Sequence, residues 1–225
     1  MRSKSAAEVG KNDELKVYGL VVLVSVAIIC ANIYPAYKNF EESFRLSLFQ
    51  VAAIISTTGF ASADFNQWPA LSKTVIIILI CFGACAGSTA GGFKLTRVII
   101  LFKMIKKEFN RMLHPRSVNV VKLEGKQVDA PILESTGVYF ALYMISIIII
   151  FFVLSFEPFG FTTNFSAAVS CFNNIGPGFD KIGPMSNFSC YNDFSTIVLT
   201  FAMLLGRLEL FPVLICFSPS TWAKK

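Results

Sequence analysis

Two short, glycine-containing polar breaks interrupt an otherwise apolar chain, Ser56-Thr57-Thr58-Gly59-Phe60 and Asn173-Asn174-Ile175-Gly176-Pro177-Gly178-Phe179. Each follows an apolar segment too short to cross a bilayer, Ser43 to Ser56 in one case and Asn164 to Phe172 in the other. Each precedes a longer apolar segment, the order expected of a re-entrant pore loop. From Gly59 to Gly176 the two blocks are separated by 117 residues, an internal repeat of a membrane unit rather than of a solenoid. The pattern is the layout of an ion pathway.

Composition agrees with a membrane setting. With 54% hydrophobic residues, 15% charged residues and a mean hydropathy of +0.62, the 225 residues have too little polar surface for a soluble domain. The net charge of +6 raises the question of nucleic acid, but the basic residues lie in loops between apolar segments, so topology explains them and no nucleic acid is expected. Five of the six cysteines sit in apolar stretches, which argues against a disulfide framework. Cys81 and Cys85 share helical spacing but lack His or carboxylate neighbours, so they read as small buried hydrophobes.

The expected fold is an all-α polytopic membrane protein of two helix, pore-loop, helix repeats, each with a short re-entrant helix and a filter loop. A leader over 1–14 precedes the first repeat at 15–113, whose second helix is broken; a connector over 114–131, a second repeat at 132–217 and a tail over 218–225 follow. Spanning candidates are Leu15 to Ile33, a helix opened by Pro69 and running through Val75 to Phe82, Val138 to Phe156, and Thr196 to Phe217. Pro35 to Glu42 reads as a polar loop, Ser43 as the N-cap of the first short helix, and Glu124-Gly125-Lys126 as a hairpin turn. Basic residues concentrate before the first block, between the blocks and after the second. The positive-inside rule therefore places both termini and the connector in the cytoplasm, and the breaks open outward.

Glycines at 59, 176 and 178 allow backbone conformations that turn carbonyl oxygens toward an axis, where they replace a cation's water shell. Thr57, Thr58, Asn173 and Asn174 add oxygens or steady the loops, and the short helices aim the negative ends of their dipoles at the centre. A single such turn would read as a plain helix connector; two, each after a short apolar helix, favour the pore.

These segments, together with Gly87-Ser88-Thr89-Ala90-Gly91-Gly92-Phe93-Lys94 and Gly206-Arg207-Leu208-Glu209, resemble the third and fourth repeats of the Trk/Ktr/HKT superfamily of potassium transporters, in its bacterial TrkH branch. The resemblance covers nearly everything from Leu15 onward. It implies potassium uptake by a symporter-type pore in the cell (inner) membrane, potassium as transported substrate, no cofactor, and no enzymatic activity. It implies a filter from Thr57, Thr58, Gly59, Phe60, Asn174, Ile175, Gly176, Pro177 and Gly178, with the carbonyls of Thr58, Gly59, Ile175 and Gly176 on the ion. It further implies homodimerisation in membrane lipid and docking of a cytosolic nucleotide-binding regulatory subunit on the basic stretch Lys94 to Lys126. Family members carry four repeats and this chain has two, so the missing two repeats or a second copy are needed as partner; the alternative is a non-conducting structural membrane subunit.

The Gly83 to Gly92 stretch has rival readings. As a phosphate-binding loop it fails because Phe93 separates Gly92 from Lys94 and no Ser or Thr follows. As the site of a Ser88 nucleophile it lacks a triad, since the only histidine, His114, follows a long basic segment. A packing kink through small residues remains open. By resemblance, Gly87, Ser88, Thr89, Ala90, Gly91 and Gly92 form an intramembrane gate below the filter, and Arg207 is a pore-lining cation barrier acting with it; the bland reading of Arg207 is a side chain snorkelling to the inner surface.

Overall fold

The computed structural model describes residues 12–222 apart from 84, 86, 89, 116–119, 124, 209 and 218. Helix α1 (Asp13–Tyr37) begins where the Asn12 side chain accepts the Leu15 N–H at 2.9 Å, with Asp13 and Glu14 in the first turn facing the positive end of the dipole. Pro35 lies inside its last turn, and Lys38 closes the helix with φ 53° while donating to the Tyr34 carbonyl at 2.8 Å. Asn39 then caps α2 (Phe40–Ile55) by accepting from Glu41 N. The expected loop from Pro35 to Glu42 is thus a two-residue reversal, because a proline near a helix end sacrifices a single backbone bond and need not stop the helix. Ser43 is likewise no cap: it is fully buried, and its hydroxyl donates to the Asn39 carbonyl at 2.8 Å.

Helix α3 (Ala70–Cys81) follows Pro69 as expected, but its 12 residues rise only about 18 Å. It does not cross a hydrocarbon core of about 30 Å by itself. Beyond an irregular segment come the amphipathic α4 (Leu95–Leu113) and a small hairpin of β1 (Lys122–Leu123) and β2 (Lys126–Gln127), turned at Gly125 with φ +79°. Helices α5 (Ala130–Leu154), α6 (Phe161–Phe172), α7 (Asp193–Leu208), α8 (Leu210–Phe217) and the short α9 (Pro219–Trp222) complete this mostly helical molecule.

Among the described residues, α1 and α5 are each long and apolar enough to span a membrane. The expected span from Thr196 to Phe217 is made of α7 and α8, which meet at 111° across the undescribed Glu209. Pro212 supplies a reason: it has no N–H to donate, so it fits within the first turn of a helix, and a helix starting at Leu210 puts it there.

One core joins both blocks, with Ile29 and Ile33 of α1, Ile54 of α2, Ile76 and Leu79 of α3, and Leu154 and Phe172 of the second block all buried in it. Several hydroxyls within the apolar helices are satisfied locally, as when Ser47 donates to the Ser43 carbonyl and Ser146 to that of Leu142. Helix α6 is enclosed by α3, α5 and α7, whereas α2 leaves Phe44, Leu48 and Phe49 exposed.

Candidate ion pathway

The two breaks are wound alike. After α2, Thr57 N donates to Ile54 O (3.0 Å) and Thr58 N to Ala53 O (2.9 Å). After α6, the corresponding Asn174 N donates to Cys171 O (3.1 Å) and Ile175 N to Ser170 O (3.0 Å). Thr57 and Asn174 share a left-handed φ of 53° and 57°, and Gly59 and Gly176 follow at +76° and +108°. These are conformations that glycine adopts freely and other residues adopt at a cost.

The breaks also touch. A Cβ on Gly59 would lie 1.9 Å from the Ile175 carbonyl oxygen, so only glycine lets the first strand approach the second this closely. At the corresponding Gly176, a Cβ would meet nothing within 4 Å. Thr58 is exposed while its counterpart Ile175 is buried, and Phe60 is exposed. The second break is braced from behind: Ser170 Oγ donates to Pro177 O at 2.8 Å, Ser166 Oγ accepts from Phe179 N at 2.9 Å, and Gly178 sits against Ile182. The Asn174 side chain turns away to donate to the Met203 carbonyl of α7 at 3.0 Å, so it steadies the loop.

Beyond the breaks, the segments that follow them lock together. Asn66 accepts from Asp180 N at 2.9 Å and donates to Asp180 O at 3.1 Å, while Phe65 meets Phe179 edge-on at 5.2 Å. Asp180, at φ 59°, also accepts from Thr163 at 2.7 Å. Nearby, burial pushes the Tyr191 phenol above its ordinary pKa, keeping it a neutral donor to Asn164 at 3.0 Å.

The Gly83 to Gly92 segment is pinned at both ends. Gly83 N donates to Phe93 O at 2.9 Å, next to a parallel bridge between Phe82 and Phe93. Gly91 and Gly92 press against Asn173 of the second break: a Cβ on Gly91 would lie 2.6 Å from the Asn173 carbonyl oxygen, and one on Gly92 2.5 Å from its Oδ1. Phe93 packs in an aromatic cluster with Tyr139, Phe140 and Tyr143. Between these anchors Gly87 (φ +84°) and Ser88 are exposed, and Ser88 Oγ accepts from Ala90 N; Thr89 lies outside the described residues. Arg207 is exposed near the end of α7, and no described hydrogen bond joins it to this segment.

Sequence reasoning missed two contributors, Tyr143 and Asn66, and the packing role of Gly206. Tyr143, a buried phenol in the apolar α5, donates to Asn173 Oδ1 at 2.9 Å and lies 3.3 Å from the Cys81 carbonyl. Gly206 brings α7 so close that a Cβ there would lie 1.7 Å from the Phe172 carbonyl oxygen. Asn66 makes the outer clamp. Replacing Tyr143 by Phe leaves the buried Asn173 oxygen without its donor, at a cost of about 1–3 kcal/mol. The expected result is a thermal midpoint lowered by several degrees, read by near-ultraviolet circular dichroism in detergent; an unchanged midpoint removes Tyr143 from the bracing.

The sequence profile of the TrkH family, described as cation transport protein, matches residues 20–224. The chain is 33% identical over 204 residues to the Trk system potassium uptake protein TrkG of Escherichia coli K12, covering 91% of this chain and 41% of that protein. It is 28% identical to TrkI of Halomonas elongata, with 92% and 43% coverage. The crystal structure of the potassium transporter TrkH from Vibrio parahaemolyticus superposes with a TM-score of 0.86 at 28% identity, covering 95% of this chain and 46% of that one. The chain therefore spans less than half the length of these relatives.

Proposed function

The chain belongs to the TrkH family of cation transport proteins, a family of transporters and not of enzymes, and from that premise we propose that it forms half of a potassium-uptake pore. Its two helix, pore-loop, helix repeats each contribute one filter strand, and the carbonyls of Thr58, Gly59, Ile175 and Gly176 replace the water shell of the ion. The observation that carries this reading is the pair of similarly wound breaks in contact at Gly59 and Ile175. A plain helix connector has no need of a second, matching copy packed against it.

The half-ring has two unlike open edges, the exposed Thr58 on one side and the uncrowded Gly176 on the other. Within the chain the equivalent surfaces meet, since Gly59 covers Ile175. Conduction therefore requires a second pair of loops set against these edges, from the missing two repeats or from a second copy, rather than passage through this chain alone. Beneath the filter, the pinned segment with its exposed tip at Gly87 and Ser88 acts as gate, and Arg207 adds a positive barrier. Both termini and the connector face the cytoplasm, where a nucleotide-binding regulatory subunit docks, and dimerisation within the membrane completes the assembly.

The test is growth of a potassium-uptake-deficient bacterium on low potassium. The chain is co-expressed with the portion of the Vibrio parahaemolyticus protein that it does not match, and uptake is expected only with both parts present. In that assembly, Arg207→Ala or shortening of Gly87 to Gly92 is expected to raise potassium flux severalfold. Membrane-inserted parts that give no uptake together would overturn the half-pore reading; uptake that neither gate variant alters would leave the segment a packing kink and Arg207 a snorkelling residue.

A further inference from the structure

The amphipathic α4 carries a feature that the ion pathway does not use. Past its buried start at Leu95, Ile99 and Ile100, Phe102, Ile105, Phe109, Met112 and Leu113 recur at helical spacing, all more than half exposed. About a third of a turn around the helix, Lys103, Lys106, Lys107 and Asn110 line a cleft of about 190 Å³ whose other wall is Val120, Val121 and Lys122. The cleft is built by tertiary contacts. Val121 is buried against Ile100 and Leu133, Val128 N donates to Val121 O at 2.9 Å, and Lys103 Nζ donates both to Lys122 O at 2.8 Å and to Asp13 Oδ2 at 3.0 Å. The hairpin is thereby held against the helix.

Lys103 is thus spoken for by Asp13. Lys106, Lys107 and Lys122 have no carboxylate within salt-bridge distance among the described residues, while Glu108 on the same helix pairs instead with Arg111 at 3.5 Å. A bias of positive charge toward one side of a membrane needs only a number of lysines near the helix ends. It does not need lysines from two separate elements brought to one cleft beside an exposed apolar stripe. A helix with an aromatic stripe flanked by lysines lies in the interface plane, its stripe among acyl chains and its ammonium groups at the depth of the lipid phosphates.

We propose that this cleft holds the phosphate of an anionic phospholipid of the phosphatidylglycerol class, with the acyl chains lying along Phe102, Ile105 and Phe109. This rests on the membrane setting of the proposed function but not on ion conduction, and it is read without any flux measurement. The full chain in detergent is titrated with phosphatidylglycerol or phosphatidylcholine, and bound lipid is counted by native mass spectrometry. Wild type is expected to retain phosphatidylglycerol at least tenfold better than phosphatidylcholine. The triple variant Lys106→Gln, Lys107→Gln, Lys122→Gln is expected to lose that preference, while Lys38→Gln, at the distant α1–α2 reversal, keeps it. Should the triple variant misfold, Lys106→Gln with Lys107→Gln, which leaves the hairpin contacts untouched, is expected to lower the preference at least threefold. Equal retention by the cleft variants and Lys38→Gln overturns the proposal, leaving topology as the role of these charges. Displacement of the lipid by millimolar inorganic phosphate, without preference for phosphatidylglycerol, overturns it in favour of a soluble anion. Unchanged lipid retention with weakened capture of a regulatory subunit overturns it in favour of protein docking.

Discussion

Serine in place of Gly59 is expected to lower the preference for potassium over sodium at least tenfold, measured as the ratio of the two uptake rates in the assembled pore. Two effects combine at this position. A φ of +76° disfavours any L side chain by about 1–2 kcal/mol, and the new Cβ would stand 1.9 Å from the Ile175 carbonyl oxygen. That neighbour is backbone, so no rotamer change relieves the overlap. The second strand must move, and with it one of the carbonyls proposed to hold the ion. A discrimination change of about 1.4 kcal/mol is already tenfold, and displacing a ligating oxygen by a fraction of an ångström is ample for that. Serine at Gly176, where nothing lies within 4 Å, is expected to lower the thermal midpoint of the isolated chain less than serine at Gly59. An unchanged uptake ratio for Gly59→Ser would sink the assignment of Gly59 to the filter.

Alanine substitutions beneath the second break are expected to separate side-chain from backbone crowding. At Gly92 the added Cβ meets Asn173 Oδ1 at 2.5 Å, a side-chain atom, whereas at Gly91 it meets the Asn173 carbonyl oxygen at 2.6 Å. Asn173→Ala by itself forfeits the hydrogen bonds with Tyr143 and Val169 and is destabilising. Combined with Gly92→Ala, it also removes the obstacle, so the double variant should be more stable than the sum of the singles by about 1–2 kcal/mol. The positive φ of Gly92 keeps the rescue partial. Combined with Gly91→Ala, the obstacle persists and the losses should add. Thermal unfolding of the five variants measures both cycles, and additivity in each would mean that the two segments are not in contact in solution.

The apolar helices and both breaks could be read from the sequence because periodicity, glycine and local polarity are properties of neighbouring residues. What escaped depends on partners distant along the chain. Pro35 looked like a terminator but sits within the last turn of α1, while Pro212 lies in the first turn of α8 after the bend. Ser43 has the right chemistry for a cap, yet Asn39 four residues earlier already does the work, and Ser43 is fully buried with its hydroxyl bonded back to the Asn39 carbonyl. Among the site residues, Gly59 was singled out for its own backbone freedom; that it must also make room for Ile175 follows only from the packing of two segments more than a hundred residues apart. Tyr143 and Asn66 left no signal at all, since one hydroxyl in an apolar helix and one asparagine in a polar loop are ordinary until their partners are in place. Arg207 drew notice as a charge in an apolar run, and the close approach of Gly206 to Phe172, which sets where that charge sits, again needed the fold.

Asn173 belongs to two structures at once. It is the C-cap of α6, and so the root of the second break, the proposed filter strand, and it is the surface against which Gly91 and Gly92 close. Two states of one residue cannot be biased from one side only. If ion occupancy shifts Asn173 by favouring one arrangement of the strand, the same free energy, with the same sign, appears in the balance between open and closed positions of the segment below, and a displacement of that segment returns it to ion affinity. On the proposed reading, filter and gate would therefore be thermodynamically linked through a single residue, and ion affinity measured with the lower segment fixed in place would differ from affinity measured with it free.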